Sequence, residues 1–126
     1  PGGGSALLFA SKELSDIKVE NADQKAGVNI IKESLKCPTI AICKNAGYDG
    51  NLICNTLLNL TDHNQGFNAL IGKQTDMMKD GIIDPTKVVR TAIVGACRVA
   101  SLMLTTEGMI TEEPKDKKKL EKNEDI

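Results

Sequence analysis

The residues whose types could do chemistry are spread over the whole sequence. The run Gly2-Gly3-Gly4-Ser5 precedes a predicted helix, and clustered glycines let backbone N–H groups come close to a phosphate. The same run is also typical of an engineered flexible linker. Asp84, in the stretch GIIDPTKVVR, precedes Pro85 at the start of another predicted helix, where an Asp most often caps the helix. The open question is whether that carboxylate also binds a ligand.

The cysteines do not form a recognisable metal or catalytic site. No Cys-x-x-Cys pair occurs among Cys37, Cys43, Cys54 and Cys97, and His63 is the only histidine. We therefore expect buried free thiols rather than a zinc site or a catalytic cysteine.

The composition predicts a single globular domain and excludes some partners. The 126 residues are 40% hydrophobic and 26% charged, with a net charge of −1, which gives no electrostatic reason to expect nucleic acid or an anionic membrane. Aromatic residues make up only 2%, which argues against recognition of bases by stacking. No apolar run is expected to be long enough to cross a bilayer. The sequence starts without Met and with a Gly-rich run, so we expect a piece of a longer protein.

Apolar spacing and turn residues predict a mostly helical chain with little β structure. Asn21 and Asp49 are expected to cap helices, and Pro38 to begin one. The remaining predicted elements are a helix over residues 5–16, a hairpin or extended turn over 67–72, helical turns over 73–80, a long helix over 85–104, a strand over 108–111 and a charged, disordered tail over 112–126.

Six blocks in order carry a resemblance to a known family. They are PGGGSALL, NADQKAGVNIIKESLKCP, KNAGYDG, GFNAL, GIIDPTKVVRTA and TTEGMITEEPK. Together they resemble the C-terminal end of a group I chaperonin of the GroEL-like family, and the KNAG and GIIDPTKVVRTA blocks look more like mitochondrial-type members. The Lys/Glu/Asp-rich tail departs from the Gly-Gly-Met repeats of many members.

The resemblance implies a fold class that is mainly α. The chain would be part of the helical bundle of the chaperonin equatorial domain, with a short β-hairpin and a C-terminal strand. Residues 1–111 would form the C-terminal part of this ATP-binding domain, followed by the tail at 112–126.

The resemblance also implies residues that bind ATP. Asp84 would hydrogen-bond the ribose, Ile82 would pack on the adenine, and Gly3 would lie against the nucleotide. Asn68, Ala69 and Leu70 would contact the edge of the base, with Leu70 making the pocket wall bulkier than the Ala of bacterial members. The catalytic residues and the metal ligand would lie upstream, outside this chain.

The function implied is that of an ATP-dependent chaperone that uses Mg²⁺ and assists protein folding. The full-length subunit would form a heptameric ring and act with a co-chaperonin on unfolded client proteins in the mitochondrial matrix, with cytoplasm or plastid as alternative locations. The isolated chain is expected not to hydrolyse ATP and to self-associate. The alternative is a non-enzymatic helical interaction domain whose GGGS start is a cloning scar.

Overall fold

The computed structural model describes residues 1–112, and it confirms the prediction of a mainly helical chain. The chain divides into two compact units, Pro1–Thr91 and a second unit that begins at Ala92. The elements are helix α1 (Ser5–Glu13) with a 3-10 turn (Leu14–Asp16), α2 (Ala22–Ser34), α3 (Cys37–Asn45), α4 (Gly50–Leu58), strands β1 (Gln65–Asn68) and β2 (Lys73–Asp76), and helix α5 (Thr86–Thr105).

Two helices begin at the capping residues that the sequence predicted. The Asn21 side chain accepts a hydrogen bond of 2.9 Å from the backbone N–H of Gln24, at the start of α2. The Asp49 carboxylate accepts from the N–H groups of Asn51 and Leu52, at the start of α4. Each cap satisfies N–H groups that have no partner within the helix, which stabilises the fold by about 1 kcal/mol.

The hydrophobic core lies where α1 meets α4. Leu8, Cys54 and Leu57 form its buried cluster. Helix α3 packs closely on α4, since a Cβ atom added at Gly50 would lie 2.7 Å from the Cα of Ile40. Gly50 therefore permits a backbone approach that a larger residue would prevent.

The prediction of helical turns over residues 73–80 is largely wrong. Lys73–Asp76 is strand β2, which pairs antiparallel with β1 so that Gln65 faces Asp76 and Asn68 faces Lys73. Only its last part makes a turn, closed by a 3.0 Å hydrogen bond from the N–H of Asp80 to the carbonyl of Asp76. Backbone pairing with β1 overrides the weak local preference of this polar segment. The hairpin predicted over 67–72 is confirmed.

The strand predicted over residues 108–111 does not form within the described residues. A strand needs a partner for its N–H and C=O groups, and both strands of the sheet in residues 1–112 pair with each other. Ile110 is consequently fully exposed, at 102% of its reference area. Of the tail predicted over 112–126, all but Glu112 lies outside the described residues.

Helix α5 has the length that the sequence predicted, but none of its 20 residues is buried. It is also long enough and apolar enough to cross a membrane by length and composition, so the prediction that no apolar run is long enough is wrong. Arg90 and Arg98 interrupt the run, yet the apolar residues around them outweigh their polarity. A core helix of a soluble protein passes the same test.

The four cysteines differ in how exposed their side chains are. Cys43 and Cys54 are buried, as predicted, whereas Cys37 is exposed and Cys97 is half-buried. The prediction of buried thiols is therefore not confirmed for Cys97, and it is wrong for Cys37, the first residue of α3, whose side chain is exposed.

Candidate functional site

The glycine run before α1 folds into an ordered turn. Gly3 and Gly4 have positive φ angles of 67° and 79°, which glycine adopts without strain. The N–H of Ser5 donates to the carbonyl of Gly2 at 3.1 Å, and the N–H of Leu8 donates to that of Gly4 at 3.0 Å. A Cβ atom at Gly4 would lie 2.7 Å from the backbone nitrogen of Thr39. This close packing on α3 is not what a flexible linker shows.

The glycine turn lies beside the segment that leads into α5. The N–H of Gly2 donates to the carbonyl of Ile82 at 2.8 Å, and the N–H of Ile82 donates to the carbonyl of Met77 at 2.9 Å. A Cβ atom at Gly2 would lie 3.0 Å from the Ile82 carbonyl oxygen. The structure thus places the glycine turn, which contains Gly3, against Ile82, although Gly3 and Ile82 are separated by almost 80 positions in the sequence.

Gly3 also borders the hairpin. A Cβ atom at Gly3 would lie 2.9 Å from the Met77 methyl carbon and 3.7 Å from the carbonyl oxygen of Phe67, the residue before Asn68. Met77 is fully buried, and its methyl group would have to shift to make room for a side chain at Gly3. A side chain at Gly3 would therefore occupy the space between the glycine turn and the hairpin.

The turn of the hairpin contains the other three predicted site residues. Asn68 is the last residue of β1, and its side-chain oxygen accepts from the N–H of Leu70 at 3.1 Å. Its backbone carbonyl accepts from the N–H of Gly72 at 2.9 Å. Ala69 is half-buried, but the Leu70 side chain is 93% exposed. The turn fixes the backbone of Leu70, but the exposed side chain of Leu70 does not form the expected pocket wall within residues 1–112.

Tyr48 holds the hairpin in place, a role that the sequence reasoning missed. Its ring packs edge-on against Phe67 with 5.0 Å between the ring centroids. Its hydroxyl lies where a side chain at Gly72 would be, so Gly72 has to be glycine for this contact. The Gly-aromatic pairs GY and GF in the sequence were the available signal.

Asp84 is exposed, two residues beyond Ile82, and it does not occupy the cap position of α5. The first carbonyl to accept from the helix is that of Pro85, with hydrogen bonds of 3.0 Å from Val88 and 3.2 Å from Val89. Helix α5 then begins at Thr86. The predicted capping role of Asp84 is wrong, because the helix begins one residue later than expected. Its carboxylate is accessible to a ligand.

A structured turn after β2 lies between the hairpin and Ile82. The Asp76 carboxylate accepts from the N–H groups of Lys79 and Met78, and the Lys79 ammonium lies 3.2 Å away. These contacts, led by the hydrogen bond from the Lys79 backbone, hold the pKa of Asp76 below its usual value. Asp76 is therefore ionised at neutral pH and stabilises the turn that carries Asp80.

The arrangement brings together groups that can bind a polar ligand. It combines a helix N-terminus with backbone N–H donors, an exposed carboxylate and an ordered amide in a turn. Within residues 1–112, no group of three or more His, Cys, Asp or Glu side chains is placed to hold a metal ion.

Comparison with known sequences gives a consistent family. A sequence model of the TCP-1/cpn60 chaperonin family matches residues 1–114. Chaperonin CPN60-2, mitochondrial, of Cucurbita maxima is 50% identical over 120 residues, covering 95% of this chain and 21% of that protein. Chaperonin CPN60-like 2, mitochondrial, of Arabidopsis thaliana is 51% identical over 110 residues, covering 87% of this chain and 19% of that protein. The chain thus spans about a fifth of the length of these relatives.

Solved structures share the fold. A group III chaperonin in the open state superposes with a TM-score of 0.76 at 29% identity, covering 87% of this chain and 23% of that chain. An open-state monomer of a group II chaperonin from Methanococcoides burtonii gives a TM-score of 0.74 at 26% identity, covering 83% of this chain and 27% of that chain.

Proposed function

Because this chain belongs to the TCP-1/cpn60 chaperonin family, we propose that the full-length protein is an ATP-dependent chaperone that assists protein folding. The observation that carries the proposal is the hydrogen bond between Gly2 and Ile82, which joins the two segments expected to border the nucleotide. The alternative of an interaction domain with a cloning linker is not favoured, since the family match begins at residue 1 and includes the GGGS run.

Residues 1–111 are proposed to be the C-terminal part of a group I equatorial domain in a ring subunit. The names of the relatives from Cucurbita maxima and Arabidopsis thaliana support a mitochondrial location. In this proposal the full-length subunits form a heptameric ring that binds unfolded clients and a co-chaperonin. The 126-residue chain alone would not hydrolyse ATP, because the catalytic and Mg²⁺-binding residues belong to the rest of the subunit.

The described residues fit the adenosine side of a nucleotide site. Gly2 donates to the Ile82 carbonyl, and Gly3, which has no side chain, packs against Met77 and the hairpin, so the glycine turn lies beside both Ile82 and the hairpin. The exposed Asp84 carboxylate would accept hydrogen bonds from the ribose hydroxyls. The apolar side chain of Ile82 would cover one face of the adenine, and Asn68, Ala69 and Leu70 would border its edge. When bound with Mg²⁺, ATP supplies the free energy of γ-phosphate hydrolysis.

A matched pair of glycine substitutions tests this function in the full-length protein. Gly3→Ala strains a left-handed backbone and places a methyl group 2.9 Å from Met77, so we expect weaker ATP binding and less ATP-dependent refolding of a denatured client. Gly27→Ala is the control, because nothing lies within 4 Å of a Cβ atom there and the residue is in an exposed helix position.

Calorimetric titration with ATP measures binding, and recovery of client activity with and without ATP measures refolding. Thermal unfolding of both variants separates a local effect from loss of the fold. A wild-type protein that refolds its client equally well without ATP would contradict the proposed function. Gly3→Ala behaving like Gly27→Ala would remove Gly3 from the proposed nucleotide site.

A further inference from the structure

The side-chain amide of Asn68 is held at both of its polar atoms. Its oxygen accepts from the backbone N–H of Leu70 at 3.1 Å. Its nitrogen donates to the Asp80 carboxylate at 3.3 Å, across 12 positions of sequence. An Asn in a turn ordinarily needs only the first of these contacts, so the contact with Asp80 calls for a separate explanation.

Together the two contacts permit one orientation of the amide. Rotating it by half a turn would bring the Asn68 oxygen against the Asp80 carboxylate, which can only accept hydrogen bonds. The same rotation would bring the amide NH₂ group against the N–H of Leu70, which can only donate. The backbone N–H alone would disfavour the flipped amide, and the carboxylate adds a second, charged constraint.

Asp80 is itself placed by the turn that follows β2. Its N–H donates to the Asp76 carbonyl at 3.0 Å, and Gly81 follows it with a φ angle of 72°. The Asp76 carboxylate in turn caps the N–H groups of Met78 and Lys79. The Asp80 carboxylate therefore projects from an ordered segment, although it is exposed.

We propose that Asp80 is a positioning residue that makes the site prefer a 6-aminopurine nucleotide to a 6-oxopurine one. The inference rests on the proposed function, in which Asn68 borders the edge of the base. With its NH₂ group held by Asp80, Asn68 presents the remaining lone pair of its oxygen to the ligand. The exocyclic amine of adenine is a donor that matches this acceptor, whereas the 6-oxygen of hypoxanthine or guanine is an acceptor that does not.

The test compares ATP with inosine triphosphate, which carries an oxygen in place of the 6-amine. The dissociation constants of both nucleotides are measured by calorimetry for the full-length protein and for Asp80→Ala, Asp80→Asn and the control Asp16→Ala. Asp16 is exposed and lies in the 3-10 turn after α1, outside the hairpin.

We expect Asp80→Ala to reduce the preference for ATP about three- to tenfold, the range of one net hydrogen bond. Asp80→Asn retains an acceptor oxygen and should keep most of the preference, and Asp16→Ala should keep all of it. The double variant Asp80→Ala with Asn68→Ala should show no further loss beyond Asn68→Ala alone, because the two residues act through one contact.

Two results would overturn the positioning role while leaving the proposed function intact. One is an unchanged preference in Asp80→Ala with normal ATP binding. The other is an equal weakening of both nucleotides, which indicates a structural role only. A wild-type protein that binds neither nucleotide would instead refute the proposed function, and the role of Asp80 with it.

Discussion

Replacing Asp84 with Ala separates two roles that one carboxylate could have at the start of α5. The structure assigns the first helix-accepting carbonyl to Pro85 and leaves the Asp84 side chain exposed. We therefore expect the free energy of unfolding to change by less than about 0.5 kcal/mol, as for other surface substitutions. A helix cap would instead lose about 1 kcal/mol.

The loss of ATP affinity should be larger than the loss of stability. A hydrogen bond to a charged group contributes about 1.5–3 kcal/mol, and the exposure of Asp84 favours the lower end of that range. We expect ATP to bind roughly tenfold more weakly to Asp84→Ala in the full-length protein, since about 1.4 kcal/mol corresponds to a factor of ten.

The assay is calorimetric titration with ATP and with 2′-deoxy-ATP, accompanied by urea unfolding. Wild-type protein should bind the deoxynucleotide more weakly than ATP, whereas Asp84→Ala should bind the two alike. Asp49→Ala is the matched control, because the Asp49 carboxylate does cap a helix. That variant should lose about 1 kcal/mol of stability and keep its ATP affinity.

Two outcomes would refute this reasoning about Asp84. Unchanged ATP affinity in Asp84→Ala would remove the ribose contact from the proposed site. A loss of stability as large as that of Asp49→Ala would mean that Asp84 caps α5 after all, as its position before Pro85 had suggested.

Two further predictions concern the 126-residue chain. Burial raises the pKa of the Cys54 thiol from its ordinary value of 9.0 to about 11. The thiol of the unfolded chain therefore ionises first, so the free energy of unfolding should fall as the pH rises from about 9 to about 11. Urea unfolding across this range should show a shallower fall for Cys54→Ala, but not for the control Cys37→Ala, whose thiol is exposed. Helix α5 carries an apolar stripe at helical spacing, none of which is buried: Val88, Val89, Ala92, Ile93, Ala96, Cys97, Ala100 and Met103. This stripe should make the chain self-associate at micromolar concentration. In sedimentation equilibrium Ile93→Glu should shift the chain towards monomer, whereas Thr91→Glu, off the stripe, should not. A wild-type monomer with sharp thermal unfolding would contradict the prediction.

Local rules were sufficient wherever one or two neighbouring residues decide the structure. The caps at Asn21 and Asp49 depend on a side chain reaching an N–H group two or three positions away, and both are observed. The length of α5 followed from helical spacing, which extends over its 20 residues. The start of α5 was misplaced by one residue, a shift too small for spacing to detect but large enough to change the role of Asp84.

Contacts between distant segments were not predictable by the same rules. Strand β2, with the polar sequence KQTD, has no alternation of its own, and it is a strand because β1 pairs with it. Tyr48 acts on Phe67 from 19 positions away, and Asp80 acts on Asn68 from 12. The resemblance identified residues that would contact a nucleotide. It did not identify the residues that position those contacts, such as Tyr48 and Asp80, because positioning depends on the packing of this particular chain.

Helix α5 shows what hydrophobic periodicity does and does not report. Its apolar stripe predicts a face that is buried somewhere, because a stripe at helical spacing is stabilising only when it packs. Within residues 1–112 none of the residues on that stripe is buried. Since the chain spans about a fifth of its curated relatives, the partner of this face need not be contained in it. Hydrophobic periodicity therefore indicates that this face packs against another element, but it does not identify that element. The structure of the full-length protein or the self-association measurement would identify it.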